Sequence, residues 1–204
     1  LAGTLTLDTG TFLPDFDINI GGDLNMTGNT IFDVDHGMSV NLTLNLSGNL
    51  NVSDNASWYN YPQYTHVHFV NTTSTMSAPQ TISWTSVYSG QYVSFTVDAG
   101  VTVKLLTNVV LPADQDEDEF LKGTLICDTY TLDVSADNFN MQDGATLYTQ
   151  NVGGVDGTII DGSFTIGSAT NFVFNGTVTT GAQVTGLNMP NGITTPGSVV
   201  ISNP

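Results

Sequence analysis

The fold is decided by residues 40–52, which read Val-Asn-Leu-Thr-Leu-Asn-Leu-Ser-Gly-Asn-Leu-Asn-Val. Apolar and polar side chains alternate from position 40 to position 47, which predicts a strand with one buried face and one wet face. The alternation pauses at Gly48 and Asn49 and resumes at Leu50 and Val52. The stretch is therefore a strand, a corner and a second strand.

This unit recurs along the chain. Leu24 and Leu50 occupy equivalent places in two copies of it, and residues 123–131 repeat the pattern of residues 3–11. Such self-similarity is typical of a coiled sheet, because each turn stacks on the previous turn and reuses the same corners. We predict an all-β fold, a right-handed parallel β-solenoid. An antiparallel, jelly-roll-like β-sandwich is the alternative.

No change in composition divides the chain, so we predict that residues 1–204 form a single elongated domain. The strand pattern is already under way at Leu1, and we expect the chain to be a mature product or a fragment of a larger surface protein. It contains no run of about 18 apolar residues of the kind that spans a membrane, so no membrane insertion is expected.

The charge balance restricts the class of partner. The chain has 2 Lys and Arg residues against 19 Asp and Glu residues, a net charge of −17. Nucleic-acid binding needs cations that neutralise phosphates, so we exclude it, and anionic membranes are poor partners for the same reason. Divalent cations and neutral glycans are the partners that this balance permits.

Cys127 is the single cysteine, so no intrachain disulfide forms. It follows Leu125 by two positions, which predicts a small inward-facing side chain and not a reactive thiol.

The second half of the chain resembles a known family. The residues that carry the resemblance are Gly123-Thr124-Leu125, Asn138-Phe139, Gly144-Ala145-Thr146-Leu147-Tyr148-Thr149, Gly154-Val155-Asp156-Gly157-Thr158-Ile159, Asn171-Phe172-Val173-Phe174-Asn175-Gly176-Thr177 and Gln183-Val184-Thr185-Gly186-Leu187-Asn188-Met189-Pro190. They are similar to the β-strand repeats of large secreted surface adhesins of Bacteroidota, including gliding-motility adhesins and related type IX-secreted proteins. The resemblance implies extended stalks or adhesive filaments at the cell surface, and it implies no catalytic residue.

The tripeptide Asn-X-Ser/Thr marks candidate glycosylation sites on an extracellular surface. A polar strand face with no attached sugar is the other interpretation. The tripeptide begins at Asn25, Asn41, Asn45, Asn51, Asn55, Asn71 and Asn175.

An acidic run at residues 114–119 is a candidate calcium site, because hard cations prefer clustered oxygen ligands. Its predicted ligands are Asp114, Asp116, Asp118 and Glu119. A solvated acidic loop without a cation is the alternative. A weaker set of the same kind is Asp15, Asp17 and Asp23.

Little in the sequence points to catalysis. His66 and His68 share one face of a strand, but two ligands do not complete a zinc or nickel site. The pairs Asp15 with Asp17 and Asp33 with Asp35 have the chemistry of general acid and base, but aspartates at strand ends usually bond local N–H groups. The chain has no arginine to bind an acidic sugar. We therefore predict that the protein is not an enzyme.

Four aromatic residues lie close together around Pro62, in a predicted loop. They form either a binding or assembly surface that stacks on sugars or a neighbouring subunit, or a plug of the core. These residues are Trp58, Tyr59, Tyr61 and Tyr64.

We predict an extracellular structural or adhesive protein of the cell surface, part of an adhesin or the subunit of a filament or layer. Its partners would be further copies of itself or neighbouring surface-protein domains, because each rung of a solenoid offers a strand edge. A glycan-binding receptor-recognition module and a carbohydrate-active β-helix enzyme are the alternatives. No cofactor is required, and calcium is the candidate ion.

Overall fold

A computed structural model describes residues 1–14, 16–33, 41–59, 64–86, 93–111, 119–177, 182–187, 189 and 197–202. Within these ranges the chain forms two sheets and one short helix. Sheet A contains β1 Leu5–Phe12, β3 Leu24–Asp33, β5 Leu50–Val52, β6 Ser57–Tyr59, β8 Gln80–Trp84, β10 Thr102–Leu105, β13 Thr124–Asp128, β15 Thr146–Thr149, β17 Asn171–Phe174 and β18 Ser198–Ile201. Sheet B contains β2 Ile18–Ile20, β4 Leu42–Leu46, β7 Thr65–Phe69, β9 Val93–Val97, β11 Val109–Val110, β12 Glu119–Leu121, β14 Leu132–Met141 and β16 Ile159–Ile166. The helix is α1, Gly154–Thr158.

The chain passes back and forth between the two sheets, and each strand pairs with a strand of the next turn in the same sheet. The order in sheet A is β1-β3-β5-β8-β10-β13-β15-β17-β18, and β6 pairs with β3. The order in sheet B is β11-β14-β12-β9-β7-β4-β2, and β16 pairs with β14. Every pairing between these named strands is parallel. The parallel β-solenoid is therefore confirmed, and the sandwich is excluded.

The opening stretch forms the predicted unit. Residues 42–46 are β4, residues 50–52 are β5, and a corner at residues 47–49 joins them. Leu50 stacks in register on Leu24 of the preceding turn and under Ile82 of the next, and all three side chains are buried. Alternation thus places one apolar column inside the coil. A shift of the strand register by one residue would turn that column toward solvent.

Aromatic rings form a second interior column. Phe32 lies between Phe12 and Trp58, with ring centroids 5.3 and 5.2 Å apart, and Trp58 stacks on Trp84 at 5.5 Å. Trp58 is thus the centre of a stack that spans four turns and stabilises their register.

The corners are fixed by close backbone contact. A Cβ atom at Gly48 would overlap the backbone of Gly22 on the preceding turn, so only glycine fits there. Buried Gln80 binds the same corner, because its Nε2 donates to the carbonyl oxygens of Leu46 and Gly48, and its Oε1 accepts from the N–H of Asn71.

Gln183 makes the same kind of hydrogen bonds near the C-terminal end of the coil. Gln183 Nε2 donates to the carbonyl oxygens of Thr149 and Asn151, and Gln183 Oε1 accepts from the N–H of Gly176. Each glutamine therefore joins a corner of the preceding turn to its own turn.

One local expectation is corrected, because Trp58 belongs to a strand, β6, and not to a loop. Residues 182–187 lie outside the assigned strands.

Candidate functional site

The outer face of sheet B carries one continuous column of side chains. Strand pairing places these residues side by side, one from each successive turn. The column runs through Asn19, Asn45, His68, Thr96, Phe120, Asn140 and Thr165.

Asparagine side chains bond each other between turns. Three such ladders form, each with Nδ2 of the later residue donating to Oδ1 of the earlier one. They join Asn45 to Asn19 at 2.9 Å, Asn51 to Asn25 at 2.7 Å and Asn55 to Asn29 at 3.0 Å. Four of the candidate glycosylation sites are therefore parts of ladders. The sequence signal for these ladders is the common spacing of 26 residues between the paired asparagines.

The other three candidate sites differ from one another. Asn71 lies in the loop before β8, where its Oδ1 accepts a hydrogen bond from the Thr73 hydroxyl at 2.6 Å. Asn41 Oδ1 accepts from the N–H of Tyr64. Asn175 has a buried Oδ1 atom. Among the described groups, the Asn71 Nδ2 atom has no hydrogen-bond partner, so this amide is available for modification.

His66 and His68 share one face of β7, as predicted, and this is the outward face, but the two side chains contact different partners. His66 Nδ1 lies 2.9 Å from the Ser94 hydroxyl, and His68 Nδ1 lies 3.8 Å from Asp98. Burial lowers the pKa of the His68 imidazole below its usual value of 6.5 and outweighs Asp98, which raises it. The described side chains contain no group of three or more His, Cys, Asp and Glu residues able to hold a metal ion.

Several aspartates cap backbone N–H groups of the following turn. Asp17 accepts from the N–H of Thr43, and Asp23 accepts from the N–H of Asn49. The structure therefore supports the corner role for these two carboxylates. Asp15 and Asp35, predicted partners in the carboxylate pairs, lie outside the described residues, and so does His36.

The predicted calcium ligands do not all fall within the described chain. Asp114, Asp116 and Asp118 lie outside it, so the calcium site stays a prediction. Glu119 is corrected from a loop residue to the first residue of β12, where its side chain is buried. It lines a cavity of about 20 Å³ between the two sheets, with mainly apolar neighbours.

The binding or assembly role predicted for Trp58 is wrong, because its side chain is 2% exposed and cannot meet a ligand at the surface. It is a core residue, one of the two predicted alternatives. Tyr64 is half-buried, and its carbonyl oxygen accepts from the N–H of Leu42. The side chain of Tyr59 and the whole of Tyr61 lie outside the described part.

Cys127 is buried inside the coil, as predicted. Burial raises the pKa of its thiol far above the usual range, with a smaller contribution from Asp128. The thiolate is therefore disfavoured. The two lysines also face carboxylates, since Lys104 Nζ lies 2.6 Å from Asp128 and Lys122 Nζ lies 3.9 Å from Asp98.

A surface groove of about 600 Å³ lies where β12, β14 and β16 run side by side and turn toward sheet A. No pattern in the sequence indicates this groove, because it depends on which strands become neighbours. Its side chains include Phe120, Asn140, Gln142, Asp143, Thr165 and Ser168.

The ends of sheet A are open. On its far side from β3, β1 pairs with no strand of the described chain, and β18 likewise has only β17 as a neighbour. All four side chains of β18 are exposed, whereas Phe172 and Phe174 of β17 are buried. Among the described residues, the two outermost strands of sheet A therefore each have one uncovered edge and partly exposed apolar side chains.

None of the described helices has the length and apolar character needed to cross a bilayer. Comparisons with known proteins found no matching family model, no similar curated protein and no similar solved structure.

Proposed function

We propose that this chain is an extracellular structural or adhesive protein of the cell surface, part of an adhesin or the subunit of a filament or layer, without catalytic activity. The observation that supports the proposal is the pair of open ends of sheet A, formed by β1 and β18. An open strand edge with apolar side chains is a template for pairing with another chain.

The C-terminal edge has apolar side chains in the positions that a further turn would cover. Val199 and Ile201 continue the inward columns of Phe172 and Phe174, yet they are 43% and 69% exposed. Covering them would remove apolar surface from water, which favours association at about 25 cal/mol per Å².

The backbone at this edge is also ready to pair. The N–H groups of Ser198 and Ser202 donate to β17, to the carbonyl oxygens of Thr170 and Phe174. Because N–H groups alternate in direction along a strand, those of Val199 and Ile201 point toward the open side. A strand added there would bond them.

The N-terminal edge offers the complementary side of the same interface. Leu5 and Leu7 stand in register with Leu24 and Met26, but they are only half-buried while their partners are buried. Every parallel turn presents the same kind of edge to its successor, so β18 of one copy fits β1 of the next. Such a head-to-tail contact does not close on itself and produces a filament.

The net charge of −17 limits lateral contact between copies, and cations that screen it should promote assembly. The experiment is sedimentation velocity with negative-stain microscopy of the full chain, with and without millimolar CaCl₂. We expect linear polymers that lengthen in CaCl₂.

A matched pair of variants tests the open edge. Ile201→Lys places a charge in the inward column of β18, whereas Val200→Lys places the same charge on its outward face. We expect Ile201→Lys to abolish polymers and Val200→Lys to retain them. A monomer under every ionic condition would overturn the proposal, and so would equal polymerisation of both variants.

A further inference from the structure

The hydrogen bonding between neighbouring side chains changes along the outer column of sheet B. At one end the Asn45 amide donates to the Asn19 amide at 2.9 Å, so each side chain satisfies the other. At the other end Asn140 stands between Phe120 and Thr165. A phenyl ring cannot accept or donate a conventional hydrogen bond. In the described structure the Asn140 amide consequently has no hydrogen-bond partner.

The groove lies at the Phe120 and Asn140 end of this column. Gln142 and Asp143 follow β14 directly and are exposed. Asp143 is held in place because one carboxylate oxygen accepts from the N–H of Ala169 at 2.9 Å, and its second oxygen stays available. The amides of Asn140 and Gln142 and this carboxylate thus face one concave surface beside a half-buried aromatic ring.

The size of the groove suits a small ligand. Its volume of about 600 Å³ falls in the range of roughly 300–1,000 Å³ that is typical of small-molecule sites. The polar groups lie on two adjacent strands and their corner, so the backbone sheet holds them in position.

The chemistry of the lining selects one class of ligand. Lys122 Nζ lies 5.8 Å from the centre of the Phe120 ring, but its charge is shared with Asp98, 3.9 Å away. Asp143 and the net charge of −17 repel an anion. A metal ion would find only one carboxylate in the lining. A neutral sugar is not repelled by the charge and does not need several carboxylates. Its C–H face packs on an aromatic ring, and its hydroxyl groups bond amides and carboxylates.

We propose that this groove, the Phe120 groove, binds neutral saccharides. The inference rests on the proposed adhesive function and gives that function a ligand class. Phe120 supplies the stacking surface, Asn140 and Gln142 supply amide donors and acceptors, and Asp143 accepts from sugar hydroxyls.

The test uses the full chain and an immobilised panel of neutral hexasaccharides, namely gluco-, manno-, galacto- and xylo-oligomers, with oligogalacturonate as the acidic comparison. Titration calorimetry then measures affinity for each sugar retained. We expect binding to at least one neutral oligomer and none to oligogalacturonate.

Three variants assign the binding to the groove. Phe120→Ala removes the ring, Asn140→Ala removes the amide, and Asp143→Asn keeps an acceptor for Ala169 while removing the charge. Each should weaken binding by about tenfold or more, the effect of losing one good contact. The matched control is Phe16→Ala, which removes a 74% exposed ring elsewhere and should leave affinity unchanged.

Melting temperatures are measured beside the affinities. Asn140→Ala and Asp143→Asn alter surface side chains, so they remain informative if Phe120→Ala fails to fold. Absence of binding to every neutral oligomer at millimolar concentration would overturn the inference, as would undiminished binding by Asn140→Ala and Asp143→Asn. If polymers form but no sugar binds, only the saccharide-binding proposal is refuted. If a monomer binds sugar, only the filament proposal is refuted.

Discussion

Asn51 donates a hydrogen bond from its Nδ2 atom to the Oδ1 atom of Asn25, 2.7 Å away on the preceding turn. Nδ2 is the atom to which an N-linked sugar is attached. The ladder therefore competes with modification, because a sugar on Asn51 would press against the side chains stacked on either side of it.

We expect that a folded form of the chain, secreted by an N-glycosylating host, carries sugar at Asn71 and none at Asn45, Asn51 or Asn55. Glycopeptide mass spectrometry measures the occupancy. The control is Asn71→Gln, which should lower the intact mass by one glycan. Substantial occupancy of Asn51 in folded protein would contradict the expectation.

Gln80→Ala should strongly destabilise the fold. The substitution leaves the carbonyl oxygens of Leu46 and Gly48 and the N–H of Asn71 without their partner. We expect a loss of about 3 kcal/mol and a melting temperature lower by about 6–12 °C. Thermal denaturation followed by circular dichroism checks this. The control is Gln142→Ala, an exposed glutamine, for which a comparable loss would show that the effect is unspecific.

Trp58→Ala should cost about 3–5 kcal/mol, because it opens a cavity in the centre of the aromatic stack. Trp58→Phe keeps most of the ring and removes an indole N–H that has no acceptor among the described residues, so it should cost much less. Chemical denaturation gives both free energies of unfolding. Equal losses in the two variants would contradict the packing role.

Stability should fall as the pH decreases from about 7 to below 6.5. The folded-state pKa of His68 is lowered, so the unfolded chain takes up a proton first and protonation favours unfolding. Melting temperatures across this range give the slope. His68→Gln, which does not titrate, should reduce the slope, and an unchanged slope would exclude His68 as its source.

Cys127 should be inert toward iodoacetamide in the native protein at pH 8. Burial raises the pKa of its thiol, and the reagent needs an exposed thiolate. Mass spectrometry should show alkylation only after the chain is unfolded in guanidinium chloride. Rapid alkylation of the native protein would contradict the buried position.

The architecture could be predicted from sequence because its signal is local. The alternation around Leu44 and the equivalence of Leu24 and Leu50 both follow from a period of two and a repeated corner. Gln80 was missed, although it occupies the inward position two residues before Ile82, because an inward polar residue looks like a break in the pattern.

The candidate sites were harder to predict because they depend on neighbours between turns. Phe120 and Asn140 meet only through the register of β12 and β14. The composition around Trp58 did not show whether its side chain points into the core or toward solvent, since an aromatic cluster suits a surface or a core equally well. The tripeptides likewise marked asparagines without showing that Asn51 already had a partner.

Under the proposed surface role, parallel pairing between turns has a mechanical consequence. The hydrogen bonds that join Leu24 to Leu50 point from one turn to the next, along the axis of the coil. Tension between the two ends therefore loads these bonds along their own direction, and turns separate one after another. Each 26-residue turn released would add roughly 85–95 Å of extended chain, so the distance between the two ends would grow turn by turn under load.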